Sequence, residues 1–172
     1  MDATGRISNQ LPGVGKRIMY YSAVLPGQGR GNLPIPAVEM FSSSHSTAFI
    51  RFWLESFLQA VYRSTSLRLR RVEVDFSYAL LHSISQATNK MGFIPYLERC
   101  YSLLVNELPT PKTMTIIHVC SAHAMKAVTN SISGMVCDRS VKELFGFVFA
   151  RMIDCVTLKQ VEEIFHHLAT LL

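Results

Sequence analysis

The sequence lacks both a membrane-spanning run and a secretory signal. A helix needs about 18 consecutive apolar residues to cross a bilayer, and no stretch of this chain reaches that length. The first ten residues, MDATGRISNQ, carry an acid at position two and no hydrophobic segment, which is unlike a signal peptide. We therefore expect an intracellular protein that has no transmembrane segment.

Cysteine is sparse, and no two cysteines form a CxxC pair. The four cysteines are Cys100, Cys120, Cys137 and Cys155. Without a secretory signal, free thiols in a reducing compartment are the expected state. The chain also has no internal repeat and no low-complexity tract, so repeat architectures and disordered linkers are not expected.

Charge is moderate and mixed in sign. Charged residues make up 17% of the chain and hydrophobic residues 49%, which is a globular composition. The net charge of +5 permits an anionic partner but does not require one. The 172 residues suffice for one domain with a substantial core.

Hydrophobic periodicity predicts an α/β fold that begins with an antiparallel hairpin. The predicted strands are Lys16–Leu25, Pro34–Phe41, Arg70–Asp75 and Thr113–Val119. One helix is predicted to start at Ser46 or Thr47, two others cover Ser77–Asn89 and Pro95–Leu108, and a short one follows Cys120. The last 35 residues are predicted to form a pair of helices. A hairpin followed by βαβ alternation implies a mixed sheet with helices packed on it. Prolines in the second strand place it at an edge.

Three finer predictions concern the helices. The helix at Pro95–Leu108 should present Leu97, Cys100, Tyr101 and Leu104 on one face. The final two helices should each open with a capping box, Ser140–Glu143 and Thr157–Gln160. Because this pair has no strand to cover, it is either an insertion or a separate helical lobe, and we divide the chain into a core at 1–135 and a helical part at 136–172, which the resemblance described below identifies as the start of an all-helical insertion.

Asp75 is the first candidate for chemistry, because it stands where an apolar strand ends and a helix begins. Open α/β sheets keep their ligand sites at the carboxyl ends of strands, so Asp75 could be a metal-ligating carboxylate. The ordinary interpretation of the residue by itself is a helix cap or a solvated acid in a turn. Glu73 points to the same side of the strand and competes for such a role.

A second acid, Asp2, precedes a short turn-like segment that leads towards the first strand. A solvated chain terminus is the ordinary interpretation of an acid at this position. Asp2 gains a functional meaning if the fold brings its carboxylate close to that of Asp75. Two carboxylates much more than about 8 Å apart could not share the metal ions of a two-metal site.

The segment HVCSAHAMK concentrates His118, Cys120 and His123 within six residues. Cys120 and His123 are three apart, so at a helix start they can point the same way. A zinc site would need two more ligands, for which Cys137, His166 and His167 are the candidates. The alternative is a structural pair, a buried cysteine and a hydrogen-bonded histidine that organise a strand-to-helix turn.

Basic residues are densest just ahead of the Asp75 strand. Arg68, Arg70 and Arg71 could contact phosphates of a nucleic acid. A solvated strand edge is the competing explanation. In either case, the three guanidinium groups do not indicate which nucleotide sequence would be bound.

Several segments, taken in order, resemble the RNase H-like catalytic core of DDE-type DNA transposases. These are MDATG, KRIMYYSAVL, PIPAVEMFSS, FIRFWLESFLQAV, VEVDFSYALLHSI and HVCSAHAMKAV. The similarity is strongest to Mutator-like elements and related eukaryotic transposons, and it runs across most of the chain. It depends chiefly on the DATG opening, the strand–acid–helix VEVDFSYAL, and the CxxH after a later strand.

The resemblance implies metal-dependent cleavage and transfer of DNA strands in the nucleus. In such enzymes acidic residues bind two divalent ions, usually Mg²⁺, for which carboxylate oxygens are suitable ligands. By position, Asp2 matches the first acid and Asp75 the second. Cys120 and His123 match the CxxH that these transposases carry between their second and third acids.

The match is partial, which predicts a fragment without strand-cleaving activity of its own. Only Met1 precedes Asp2, so most of the first core strand is missing. No residue takes the third acidic position, because Glu143, Glu162 and Glu163 come too early. A non-enzymatic domesticated interaction module on the same scaffold is the alternative, and an unrelated α/β domain is the third hypothesis.

Overall fold

The structure, a computed structural model, describes residues 2–5, 18–25, 33–135 and 137–171; at 2–5 and at 171 it describes the backbone alone. The described strands are β1 (Asp2–Gly5), β2 (Met19–Leu25), β3 (Ile35–Ser42), β4 (Arg71–Val74) and β5 (Ile116–Val119). The described helices are α1 (Thr47–Thr65), α2 (Tyr78–Asn89), α3 (Phe93–Val105), α4 (Ser121–Ser133), α5 (Arg139–Ile153) and α6 (Leu158–Leu171). The α/β class is confirmed, and the predicted elements occur in the predicted order, but β1 is an additional strand where the sequence suggested a turn.

The first sheet is antiparallel, with the strand order β1-β2-β3. In its register Asp2 lies opposite Ser22, and Tyr20 lies opposite Phe41. The predicted hairpin of β2 and β3 is therefore confirmed. Pro36 falls on β3, which is an edge strand of this sheet, so its missing N–H interrupts no inner ladder.

The second sheet is a parallel pair, β4 and β5, joined through α2 and α3. Glu73 lies opposite His118 in its register. This is the predicted βαβ alternation. The hairpin and the βαβ unit were expected in one mixed sheet, whereas the described strands form two separately hydrogen-bonded sheets.

One hydrophobic core nevertheless serves both sheets. Its buried members come from β2, α1, β4 and α2: Tyr21, Ile50, Leu54, Val74, Leu80, Leu81, Ile84 and Ala87. The helical spacing of the α1 and α2 members places them on the faces where these two helices pack together. Both sheets thus pack on the same pair of helices.

Helix starts follow the sequence at three of four predicted caps. Ser46 caps α1 by accepting the Phe49 N–H, and Ser77 is the N-cap of α2. At α6 the side chain of Gln160 accepts the Thr157 N–H at 3.1 Å, and the Thr157 hydroxyl accepts the Gln160 N–H at 3.3 Å, which is the predicted capping box.

The predicted capping box at Ser140–Glu143 is wrong. The N-cap of α5 is Asp138, so Ser140 already lies inside the helix. The Glu143 carboxylate instead accepts a hydrogen bond from Arg139 Nε at 2.8 Å. Because an acid four residues from an arginine can form this surface pair, the sequence pattern alone did not separate the two arrangements.

The residues predicted to share a face of α3, Leu97, Cys100, Tyr101 and Leu104, do so, because the helix covers all four, but this is not its buried face. Tyr96 is the fully buried residue of this helix, while Leu97, Tyr101 and Leu104 are exposed. Tyr96 stacks beside Phe93, and its hydroxyl accepts the Ile117 N–H at 2.8 Å. The hydroxyl therefore satisfies a backbone donor of β5.

We expect Tyr96→Phe to lower the free energy of unfolding by about 1–2 kcal/mol, because the Ile117 N–H loses its acceptor. Burial raises the pKa of Tyr96 from 10.0 to about 12. The folded state therefore favours the neutral phenol, so stability should fall as pH rises from about 10 to 12. Urea unfolding at pH 7 and across that range measures both effects. The exposed Tyr101→Phe is the control; equal stability and equal alkaline slopes in the two variants would contradict the prediction.

The trailing helices pack mainly in sequence order, α5 on α4 and α6 on α5. The boundary between 1–135 and 136–172 stays a prediction. All four cysteines are free thiols. Among the helices that the structure describes, none combines the length and apolar character that a bilayer crossing requires.

Candidate functional site

Asp75 lies at the carboxyl end of β4, directly after the buried Val74. Its carbonyl oxygen accepts the Ser77 N–H at 2.7 Å, which forms the tight turn into α2. Ser77, and not Asp75, is the N-cap residue of α2. The Asp75 side chain is only 17% exposed, so the carboxylate is held in the turn rather than freely solvated.

The carboxylate of Asp75 meets the histidine of the CxxH motif. Nδ1 of His123 lies 3.0 Å from Oδ1 of Asp75. Parallel strands bring their carboxyl ends to the same edge of a sheet, and the Cys120 N–H donates to the Val74 carbonyl at 2.8 Å. The β4–α2 turn and the β5–α4 turn are therefore neighbours, although they lie far apart in sequence.

Cys120 completes this group as the N-cap residue of α4. The backbone N–H of His123, and then its imidazole, hold the pKa of the Cys120 thiol below its ordinary value of 9.0. The prediction that Cys120 and His123 point the same way at a helix start is consistent with this interaction. Asp75 and His123 are therefore in direct contact, and Cys120 lies at the start of the helix that carries His123.

A second polar network, which the sequence patterns did not reveal, reaches the same turn. The hydroxyl of Tyr21 on β2 hydrogen-bonds Nδ1 of His45, and Nε2 of His45 lies 3.1 Å from the Ser77 hydroxyl. Tyr21 is fully buried, and its ring stacks on His45 with a centroid distance of 5.8 Å. The one available hint is that His45 stands in the polar stretch SSSHS just before a helix cap.

Asp2 has a backbone position but no described side chain. It is the first residue of β1, a strand and not the turn that its sequence suggests, and it pairs with Ser22. Next to Ser22 lies Tyr21, which the His45 network links to the Asp75 turn. Proximity of the Asp2 and Asp75 carboxylates stays a prediction, because the side chain of Asp2 is outside the described residues.

The other candidate residues lie apart from this turn. Glu73 is on the exposed side of β4. The three arginines precede or begin β4, so roughly 16 Å of extended chain separates Arg70 from Asp75. Arg68 stacks over the Tyr62 ring at 5.6 Å, and Arg70 donates to the Lys112 carbonyl oxygen. Phosphate contacts by Arg68, Arg70 and Arg71 stay a prediction.

The donor set for a metal is incomplete in the part of the chain that the structure describes. Within it, no three or more histidine, cysteine, aspartate or glutamate side chains cluster so as to hold a metal ion. Glu143, Glu162 and Glu163 are exposed on α5 and α6, as are His166 and His167. Among the described residues, no third and fourth ligand lies close enough to Cys120 and His123 to complete a zinc site.

Comparison with known proteins finds a transposable-element protein. No protein-family model matches the chain, and no solved structure matches it. The chain is 32% identical over 131 residues to the "120.7 kDa protein in NOF-FB transposable element" of Drosophila melanogaster. The match covers 74% of this chain but only 12% of that protein, so the chain spans about an eighth of its curated relative. This similarity indicates that the chain has a transposon-derived origin.

Proposed function

We propose that the chain is part of the RNase H-like catalytic core of a DDE-type DNA transposase, with Asp75 as its second acidic residue and Asp2 as its first. The observation that carries the proposal is the 3.0 Å contact between Asp75 and His123. It joins the strand-end acid to the CxxH motif, which are two of the three parts on which the resemblance chiefly depends. The similarity to a transposable-element protein supports the same origin.

The described donors are too few to hold Mg²⁺ by themselves. Mg²⁺ takes an octahedral set of oxygens, usually one or two carboxylates together with waters and substrate phosphates. Asp75 supplies one carboxylate, and one of its oxygens already contacts His123. A second carboxylate, which we assign to Asp2, is needed to complete a site for metal-assisted cleavage of phosphodiesters.

This incomplete set explains why we expect no strand cleavage by the polypeptide alone. A two-metal reaction needs both ions held firmly, and the chain matches only an eighth of its relative. DNA as partner and the nucleus as location follow from the transposase assignment and belong to this proposal. The same scaffold without the chemistry would be a domesticated interaction module, which is the second candidate.

We expect Mn²⁺, added as a paramagnetic substitute for Mg²⁺, to broaden the amide resonances around Asp75 before those elsewhere. A carboxylate held in a turn near a second acid concentrates a divalent cation, and paramagnetic broadening detects even weak binding. Asp75→Asn keeps the shape but removes the charge, so the local broadening should disappear. The measurement is a Mn²⁺ titration followed in ¹H–¹⁵N spectra of both proteins.

The exposed Glu143→Gln on α5 is the matched control and should leave the broadening at Asp75 unchanged. Broadening only at scattered surface acids would contradict the metal-binding assignment and favour the interaction module. The same preparation should show no Mg²⁺-dependent nicking of supercoiled DNA. Robust nicking that Asp75→Ala abolishes would show instead that the polypeptide is active alone.

A further inference from the structure

We propose that His45 is a positioning residue that connects β2, the strand paired with the Asp2 strand β1, to the turn that contains Asp75. The inference rests on the proposed function for its significance, because it concerns the spacing of the two acids assigned to the metal site. It stands on three side chains from different elements, Tyr21, His45 and Ser77.

His45 uses both of its ring nitrogens. Nδ1 meets the Tyr21 hydroxyl, and Nε2 meets the Ser77 hydroxyl at 3.1 Å. Hydroxyls donate and accept, so either imidazole tautomer satisfies both contacts. The ring also stacks nearly parallel on Tyr21, with an interplanar angle of 13°. The His45 side chain is itself exposed, so its position depends on these two hydrogen bonds and on the stacking contact.

The Tyr21 end is fixed by burial. Tyr21 is a fully buried core residue of β2, and desolvation raises the pKa of its phenol. The hydroxyl therefore stays neutral and remains available as a hydrogen-bonding partner. In the β1–β2 register Tyr21 is opposite Ala3, one residue from Asp2 along the backbone of β1.

The Ser77 end is fixed by the turn itself. The Ser77 N–H donates to the Asp75 carbonyl at 2.7 Å. An N-cap serine ordinarily accepts a backbone N–H of the first helical turn, yet within the described first turn of α2 Ser77 makes no such bond. Its hydroxyl instead forms a hydrogen bond with His45, which links the turn after β4 to the antiparallel sheet.

The consequence is a short mechanical connection across the gap between two sheets that share no ladder. It runs from β2 through Tyr21, His45 and Ser77 to the backbone of Asp75. Metal ions in a two-metal site tolerate little error in ligand spacing. Such a connection between the two acid-bearing segments would preserve that spacing, since among the described strands none pairs across the two sheets.

The Asp75–His123 contact provides a local readout that needs no metal. We expect Tyr21→Phe, Ser77→Ala and His45→Ala each to shift the ¹⁵N resonances of the His123 ring and the amide resonances of Asp75 to Ser77. A residue that merely contributed to stability would lower the melting temperature and leave the His123 ring resonances of the folded protein in place. The exposed His167→Ala on α6 is the control and should leave them unchanged.

Tyr21→Phe and Ser77→Ala each remove one hydroxyl, so they keep the test decisive if His45→Ala does not fold. Unchanged His123 ring resonances in both folded variants would overturn the inference. If Mn²⁺ caused no broadening around Asp75 in the wild-type protein, that result would contradict the proposed function but not the positioning role of His45. With both readouts present, Tyr21→Phe should also weaken the Mn²⁺ effect at Asp75 severalfold.

Discussion

Replacing Leu80 with alanine should lower the free energy of unfolding by about 3–4 kcal/mol, the largest loss that we expect from a single core substitution. Leu80 is fully buried in the cluster that joins α1 and α2 to both sheets. Truncation removes apolar contacts and leaves a cavity that neighbours from four elements cannot easily fill, because each is held by its own backbone hydrogen bonds.

Urea unfolding followed by circular dichroism measures this loss. The matched control is Leu104→Ala on α3, because Leu104 is 63% exposed and should change stability by less than about 0.5 kcal/mol. A loss of similar size in both variants would indicate that Leu80 does not pack in the common core. A loss under about 1 kcal/mol at Leu80 would have the same meaning.

Asn89→Ala should cost about 2–4 kcal/mol, because two backbone groups lose their partners at once. The Asn89 amide donates to the Thr115 carbonyl at 3.0 Å, and its oxygen accepts the Thr115 N–H at 2.8 Å. Thr115 is buried just before β5, so water cannot replace both bonds. These two hydrogen bonds, which we call the Asn89–Thr115 clamp, connect the C-terminal end of α2 to the residue just before β5.

A graded series tests this clamp. Asn89→Asp keeps an acceptor for the Thr115 N–H but no longer donates, so its stability should fall between wild type and Asn89→Ala. Asn130→Ala on the exposed surface of α4 is the control, and its effect should stay within about 0.5 kcal/mol. The clamp would be refuted if Asn89→Asp and Asn89→Ala were both as stable as the control.

The elements of this fold follow well from local sequence, whereas the burial of their faces follows less well. Ser46, Ser77 and the Thr157–Gln160 box marked helix starts correctly because capping depends on neighbours within one turn. The periodicity placed four α3 residues on one face but did not indicate that Tyr96 is the buried residue, because Tyr96 is held by a hydrogen bond from the backbone of β5. That partner is distant in sequence, and a periodicity argument contains no information about it.

The candidate site divides in the same way. Asp75 and the CxxH pair could be singled out, because strand ends and helix starts are visible as local patterns. Their contact follows from the parallel pairing of β4 and β5. His45 could not be predicted, because its partners Tyr21 and Ser77 become neighbours only when the hairpin, α1 and α2 have packed together.

The shared core has a consequence for how this chain can be divided. Tyr21 belongs to the antiparallel hairpin and Val74 to the βαβ unit, yet both are covered by the same two helices. A polypeptide cut between β3 and α1 would leave the hairpin with an uncovered apolar side and the remainder with a hole in its interior. We therefore expect that neither piece folds by itself, so the hairpin and the βαβ unit would be inherited, lost or exchanged between transposable elements together.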